Sequence, residues 1–139
     1  MKFVIDSNVL ISALISDSIT RELILEMEEE LYSPDFLESE IEKHKDLIQK
    51  KSDLSSMELD CLLTILIENI FVVAEETYEE KINIADEAIG DTDKKDVPFL
   101  AVALEKDAMI WSDDRHFEDQ DEVKVWKTED MVAEFFEKG

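Results

Sequence analysis

The chain has 139 residues, 45% of them hydrophobic, with only two glycines and two prolines; it can bury roughly 70% of the surface its unfolded form exposes, which excludes disordered and fibrous classes. A formal net charge of −23 excludes nucleic-acid binding through bulk positive charge, although at about 0.15 M salt the repulsion reaches only roughly 8 Å. The lone Cys61 excludes an internal disulfide, no Cys/His grouping has zinc-ligand spacing, and no apolar run approaches the ~18 residues of a membrane span, so a cytoplasmic protein is expected.

Phe3-Val4-Ile5 is a continuous apolar run, the pattern of a strand covered on both faces in a parallel sheet, and Asp6 stands at its C-terminal end. Val9, Leu10, Ala13 and Leu14 carry a helical repeat, and a second helical segment is expected from about Ser18 to Glu30, with Leu23, Ile24 and Met27. Leu31-Tyr32-Ser33 reads as a very short strand. Ser33 and Pro34 then supply the cap and first position of a helix expected from Pro34 to about Ile48. Ser55 or Ser56 caps another, with Leu59, Leu62, Leu63, Leu66 and Ile67 on its core face. Phe71 to Ala74 is the third expected strand. Helices around Tyr78 to Ile89 and Val97 to Lys106 precede a fourth strand, Ala108 to Trp111. A fifth, Val123 to Trp126, leads to a last helix capped by Thr128 and packing Met131, Val132, Phe135 and Phe136. Alternating strands and helices imply right-handed crossovers, and so an α/β fold of three layers, α/β/α, with a central parallel sheet of about five strands in a single domain over residues 1–139.

In such sheets ligands bind beyond the carboxyl ends of the strands. Asp6 ends the first strand and Ser112-Asp113-Asp114 ends the fourth; either alone reads as a turn residue or cap, and two acidic strand ends in one sheet weaken that reading. On the helix from Pro34, at about 100° per residue, Phe36, Leu37, Ile41, Leu47 and Ile48 define an apolar arc. Glu40 falls inside it, whereas Glu38 and Glu42 fall on the solvated side. His44 shares the arc, and is expected to donate a hydrogen bond to Glu40 or to fill core space rather than to bind metal or move protons. Asp91, Asp93 and Asp96 precede a helix apolar nearly all round, which puts Asp96 at the mouth of a buried helix, as an N-cap or as a ligand.

Carboxylates forced together repel by about 4 kcal/mol per pair at 4 Å and an effective dielectric near 20. A cation must offset that. A site of oxygens, with few histidines and no available cysteine, suits Mg²⁺ or Mn²⁺ rather than zinc. Lys94, Lys95, Arg115 and His116 flank the acids and are candidates for holding an RNA backbone, or are ordinary surface charge.

The motifs resemble those of PIN-domain nucleases in the family's order: Asp6-Ser7-Asn8-Val9-Leu10; Tyr32-x-Pro34 with the inward Glu40; Asp96-x-x-Phe99-Leu100-Ala101-x-Ala103-Leu104; and Ser112-x-Asp114-x-x-Phe117. The resemblance spans nearly the whole chain. It implies a metal-dependent endoribonuclease in which Asp6, Glu40, Asp96 and Asp114 are the metal-binding catalytic acids. Asn8, Asp93 and Ser112 become supporting polar groups, with Ser112 where many members have Thr. Asp113 is an extra acid, which leaves open whether it or Asp114 faces the metal. The resemblance further implies a strand order of 3-2-1-4-5, a homodimer, products with a 5'-phosphate and a 3'-hydroxyl and, for small prokaryotic members, a toxin paired with an antitoxin protein. Two other readings stand beside it. One is a PIN-fold metal-binding interaction module with weak or no catalysis, which the net charge favours. The other is a phosphatase of haloacid-dehalogenase type, which needs a second Asp where this chain has Asn8; a receiver domain is disfavoured because the third strand ends in Glu75.

Overall fold

The computed structural model describes residues 1–15 and 18–137. Strands β1 (Lys2–Ile5), β2 (Glu30–Pro34), β3 (Phe71–Val73), β4 (Met109–Trp111) and β5 (Val125–Trp126) form one sheet in the order β3-β2-β1-β4-β5. All four neighbouring pairs are parallel, with Phe3 beside Leu31 on one side and beside Met109 on the other. Phe3, Val4 and Ile5 are wholly buried, as a central strand with helices on both faces requires.

The chain first steps outward from β1 through β2 to β3, then returns across β1 to lay down β4 and β5. Right-handed crossovers in opposite directions put helices on opposite faces. Helix α1 (Ser7–Ile15) gathers α2 (Ser18–Glu26), α3 (Phe36–Lys43), α4 (Lys45–Ser52) and α5 (Ser56–Ile67). Helix α8 (Val97–Lys106) lies against β1, β2 and β4 and gathers α6 (Glu75–Tyr78) and α7 (Ile82–Ile89). Val97, Phe99, Leu100, Ala101, Val102 and Ala103 are buried, so α8 is apolar nearly all round because it is covered nearly all round. The reversal of strand order falls between β1 and β4. That opens a crevice at their carboxyl ends.

Several boundaries differ from expectation for local reasons. Pro34 closes β2 opposite Val73 instead of opening a helix, and the next amide, that of Asp35, continues the ladder by donating to the Val73 carbonyl at 2.9 Å; a proline is tolerated at such an end. The helix expected from Pro34 to Ile48 is two helices, broken at His44 (φ −103°, ψ 6°). The break shifts the helical phase of α4 from that of α3, so Leu47 is 49% exposed while Ile48 stays buried. Helix α2 ends at Glu26, because Glu30 joins β2. The segment expected to be helical from Tyr78 comprises α6, a 3-10 turn over Glu79–Lys81 and α7.

Strand β4 starts after Ala108, whose amide bonds back to the Ala103 carbonyl at 2.9 Å past a left-handed Asp107 (φ 54°). Strand β5 starts after Val123 because the Gln120 amide holds that residue, accepting from its N–H and donating to its carbonyl. Ser55 caps α5 in a reciprocal box with Glu58. Thr128 is the first residue of α9 (Thr128–Val132), not its cap, and a π-helical stretch, Ala133–Glu137, comes after it. Met131 is fully buried, and Val132, Phe135 and Phe136 pack partly buried against the core. Among the described residues no helix is long and apolar enough to cross a membrane.

Candidate functional site

Asp6 is held where β1 becomes α1. Its amide extends the ladder to the Trp111 carbonyl (3.1 Å), and its carbonyl accepts from Val9 (3.1 Å) and Leu10 (3.3 Å), starting the helix. The side chain is left 2% exposed. Ser112, at the end of β4, donates its hydroxyl to Asp6 Oδ2 at 2.8 Å and accepts from the Asp114 amide at 3.0 Å. One fully buried hydroxyl thus ties the two strand ends together.

Asp114 Oδ1 accepts from the His116 amide at 3.0 Å, capping a 3-10 turn over Arg115–Asp119. On the opposite wall, a 3-10 turn over Lys94–Asp96 is capped by Asp93, which accepts from the Lys95 amide at 2.9 Å. With that cap in place, Asp96 enters α8 with no side-chain capping bond of its own. Its carboxylate, 7% exposed, remains available at the helix mouth.

These elements enclose a cavity of about 250 Å³ whose lining includes five carboxylates: Asp6, Glu40, Asp93, Asp96 and Asp114. Asn8, Lys95, His116, His44, Phe36 and Phe99 complete most of the wall. Asp6, Glu40, Asp96 and Asp114 therefore share one space, reached from β1, α3, the mouth of α8 and the end of β4.

Burial is the largest influence on Asp6; with the Asp114 charge it pushes the carboxyl up to about 6, against the Ser112 hydroxyl and the amides of Asn8 and Ser7, which favour the anion. Burial likewise leads for Asp96, joined by repulsion from Asp6, Asp93 and Asp114; the result is about 7, with His116 pulling the other way. Desolvation lowers the His116 imidazole, but the charges of Asp114, Asp96 and Asp93 outweigh it and raise the group overall. Its Nδ1 lies 3.1 Å from Asp96 Oδ2, 3.4 Å from Asp114 Oδ1 and 3.6 Å from Asp93 Oδ2.

Glu40 is different in kind. Its Oε1 is buried without a hydrogen-bond partner and is ion-paired only at long range, with the mostly exposed Lys43, whose Nζ stands 3.6 Å off. A buried carboxylate oxygen with no hydrogen-bond donor costs free energy that a cation at closer range than Lys43 would offset. Together with acids pushed up by mutual repulsion and burial, it makes an oxygen-rich donor set that fits a hard divalent ion. Among the described residues only Asp93, Asp96 and His116 have ligand atoms all within 4.8 Å of one another. The four principal acids line the same cavity with wider spacing.

Asp113, adjacent to Asp114, is turned away. It accepts from the Thr128 amide (2.8 Å) and hydroxyl (2.7 Å), and that hydroxyl in turn accepts from Trp111 Nε1 at 3.0 Å. Lys94 is directed to Asp86, 3.2 Å away. Arg115 is exposed and outside the cavity lining, whereas Lys95 and His116 are part of it. His44 departs from expectation. It is exposed and lines the cavity, neither filling the core nor bonding Glu40, because the helix breaks at its own backbone. Sequence reasoning passed over Phe36 and Phe99 as cavity residues; their only signal was position, four residues before Glu40 and three after Asp96.

A family model described as PIN domain matches residues 4–135. No curated protein gives a match. Among solved structures, a chain of the crystal structure of VapBC2 from Rickettsia felis bound to a DNA fragment from their promoter aligns with a TM-score of 0.69, at 12% identity, over 91% of this chain and 98% of that one. At that identity the likeness concerns the fold.

Proposed function

The chain belongs to the PIN-domain family, and from that premise we propose that it is a Mg²⁺- or Mn²⁺-dependent endoribonuclease whose ion is held by Asp6, Glu40, Asp96 and Asp114. The observation that carries this reading is the buried Glu40 Oε1, without a hydrogen-bond donor, in a cavity shared with Asp6 and Asp96, both held well above the ordinary aspartate range. The partners these acids do have, the Ser112 hydroxyl, His116 and a mostly exposed Lys43 at 3.6 Å, leave five carboxylates in one cavity short of positive charge.

When bound, the ion supplies the charge that offsets these acids, acidifies water and stabilises the oxygens of a phosphodiester under attack. The rest belongs to the chain. Ser112 and the amides of Ser7 and Asn8 fix the orientation of the Asp6 carboxylate. The Asp93 cap leaves Asp96 free at the helix mouth. His116 lies among Asp93, Asp96 and Asp114 and holds them in register. Asn8 and Lys95 remain at the rim as neutral and cationic donors toward a phosphate.

The family resemblance supports a toxin role with an antitoxin protein as partner, and the solved VapBC2 complex of similar fold accords with it. A homodimer in the cytoplasm belongs to the same reading. The net charge of −23 favours one alternative, a PIN-fold interaction module that binds metal without cutting. Cleavage of a panel of RNAs separates the two. Hydrolysis that needs Mg²⁺ or Mn²⁺ and disappears in Asp6→Asn supports the nuclease; no hydrolysis leaves the module, and hydrolysis unchanged in Asp6→Asn overturns the role given to these acids.

A further inference from the structure

Phe36, Glu40 and His44 lie four residues apart along α3 and its C-terminal cap, and all three line the cavity. Four residues are about one turn and roughly 6 Å of rise. Glu40 is therefore flanked, a turn to either side, by an aromatic ring. Phe36 is partly exposed and meets Phe99 edge-on, with ring centroids 6.3 Å apart. His44 is exposed, and its side chain makes no hydrogen bond or ion pair with any described residue. The helix breaks at His44 without a glycine or proline to cause it.

Charge bears on what these rings can hold. Lys95 and two imidazoles, His44 and His116, are the basic side chains of the lining against five carboxylates, and His116 already sits among three of them. The net charge is −23. Attraction for phosphate, the ordinary source of nucleic-acid affinity, is weak here away from a bound ion. Stacking of bases on aromatic rings is indifferent to net charge and contributes about 1–3 kcal/mol per base.

We propose that Phe36 and His44 form a base-stacking subsite for single-stranded RNA, taking unpaired bases on either side of the phosphate that the carboxylate wall addresses. The substrate is thus held by its bases more than by its backbone, and a duplex, whose bases are already stacked, does not fit. This rests on the ribonuclease reading above.

The test is fluorescence anisotropy with a labelled oligoadenylate, its abasic counterpart and an RNA duplex, with Ca²⁺ replacing Mg²⁺. Wild type is expected to bind the oligoadenylate and neither of the others with comparable affinity. His44→Ala should weaken that binding roughly five- to a hundredfold, and His44→Tyr should restore it. The slope of log affinity against log salt should be no steeper than about −1.4, the value for two phosphate contacts on a single strand. Equal binding of oligoadenylate and abasic strand by the wild type, an unchanged affinity in His44→Ala, His44→Tyr no better than His44→Ala, or no binding at all would each overturn the subsite. The two readings fail separately. His44-dependent binding without hydrolysis in Mg²⁺ or Mn²⁺ sinks the nuclease and keeps the subsite; hydrolysis indifferent to His44→Ala does the reverse.

Discussion

The corner where β4 meets α9 and the cavity beside it are both built from aspartates and hydroxyls, and they differ in how far those groups are satisfied. In the corner, Asp113 accepts two hydrogen bonds from Thr128, whose hydroxyl accepts a third from Trp111. In the cavity, one residue further along the chain, Asp114 shares the wall with Asp6, Asp96 and a Glu40 oxygen that has no hydrogen-bond donor. Satisfied carboxylates of this kind stabilise a fold, while a set left short of positive charge is tolerated where something else supplies it.

Substitutions on either side of that divide should break it most sharply. Asp6→Asn or Asp96→Asn is expected to lower metal-dependent RNA cleavage by more than about a hundredfold, and Ser112→Ala, which frees the Asp6 carboxylate from its supporting hydroxyl, by about 10–100-fold. Asp113→Asn should leave the rate near wild type. Comparable losses in Asp6→Asn and Asp113→Asn, read as initial rates in Mn²⁺, would erase the distinction.

The second contrast is in stability without metal. Asp6 and Asp96 are raised in the folded protein, to about 6 and about 7. The folded state therefore binds protons more tightly than the unfolded chain, and stability falls as pH rises from about 4 through 7. His116 is also raised, and its contribution, present below its ordinary value, is lost as pH climbs through the higher folded one, in the same direction. The melting temperature of the chelator-treated protein should fall across that window, and Mn²⁺ should restore most of the loss near pH 7. Asp96→Asn should stabilise the metal-free protein at pH 7 by ~1–3 kcal/mol. A metal-free melting temperature that climbs between pH 5 and 7 would contradict the origin given to these shifts.

A smaller effect is expected in the corner. Asp113→Ala removes the bonds to the first turn of α9 and should cost about 1–2 kcal/mol in urea unfolding, with Mn²⁺ affinity unchanged. Smallest of all is Lys94→Ala. Its side chain is 79% exposed beside Asp86 and away from the cavity, so stability should move by less than about 0.5 kcal/mol and RNA affinity hardly at all. Lys95→Ala, at the rim, should weaken RNA binding more. Equal losses would place the RNA path over both.

Much of this site is legible in the residues because topology locates it. Asp6 and Ser112 come after apolar runs that can only be central strands, and Asp96 precedes a helix too apolar to be exposed. Glu40 is placed by helical phase alone. What escapes is decided by partners distant in the chain. Whether Asp113 or Asp114 enters the cavity is settled by Thr128, and no local pattern distinguishes two neighbouring aspartates. His44 escapes because a helix break with neither proline nor glycine has no signature. Asp93 and His116 converge on Asp96 only because the turns before α8 and after β4 face each other across the crevice.

Anomalous diffraction from crystals grown with Mn²⁺ tests the cavity most directly. Manganese density within carboxylate reach of Asp6, Glu40 and Asp96, absent in Asp96→Asn crystals, is the predicted result. Density confined to surface acids, or held by Asp93, Asp96 and His116 without Glu40, would contradict it.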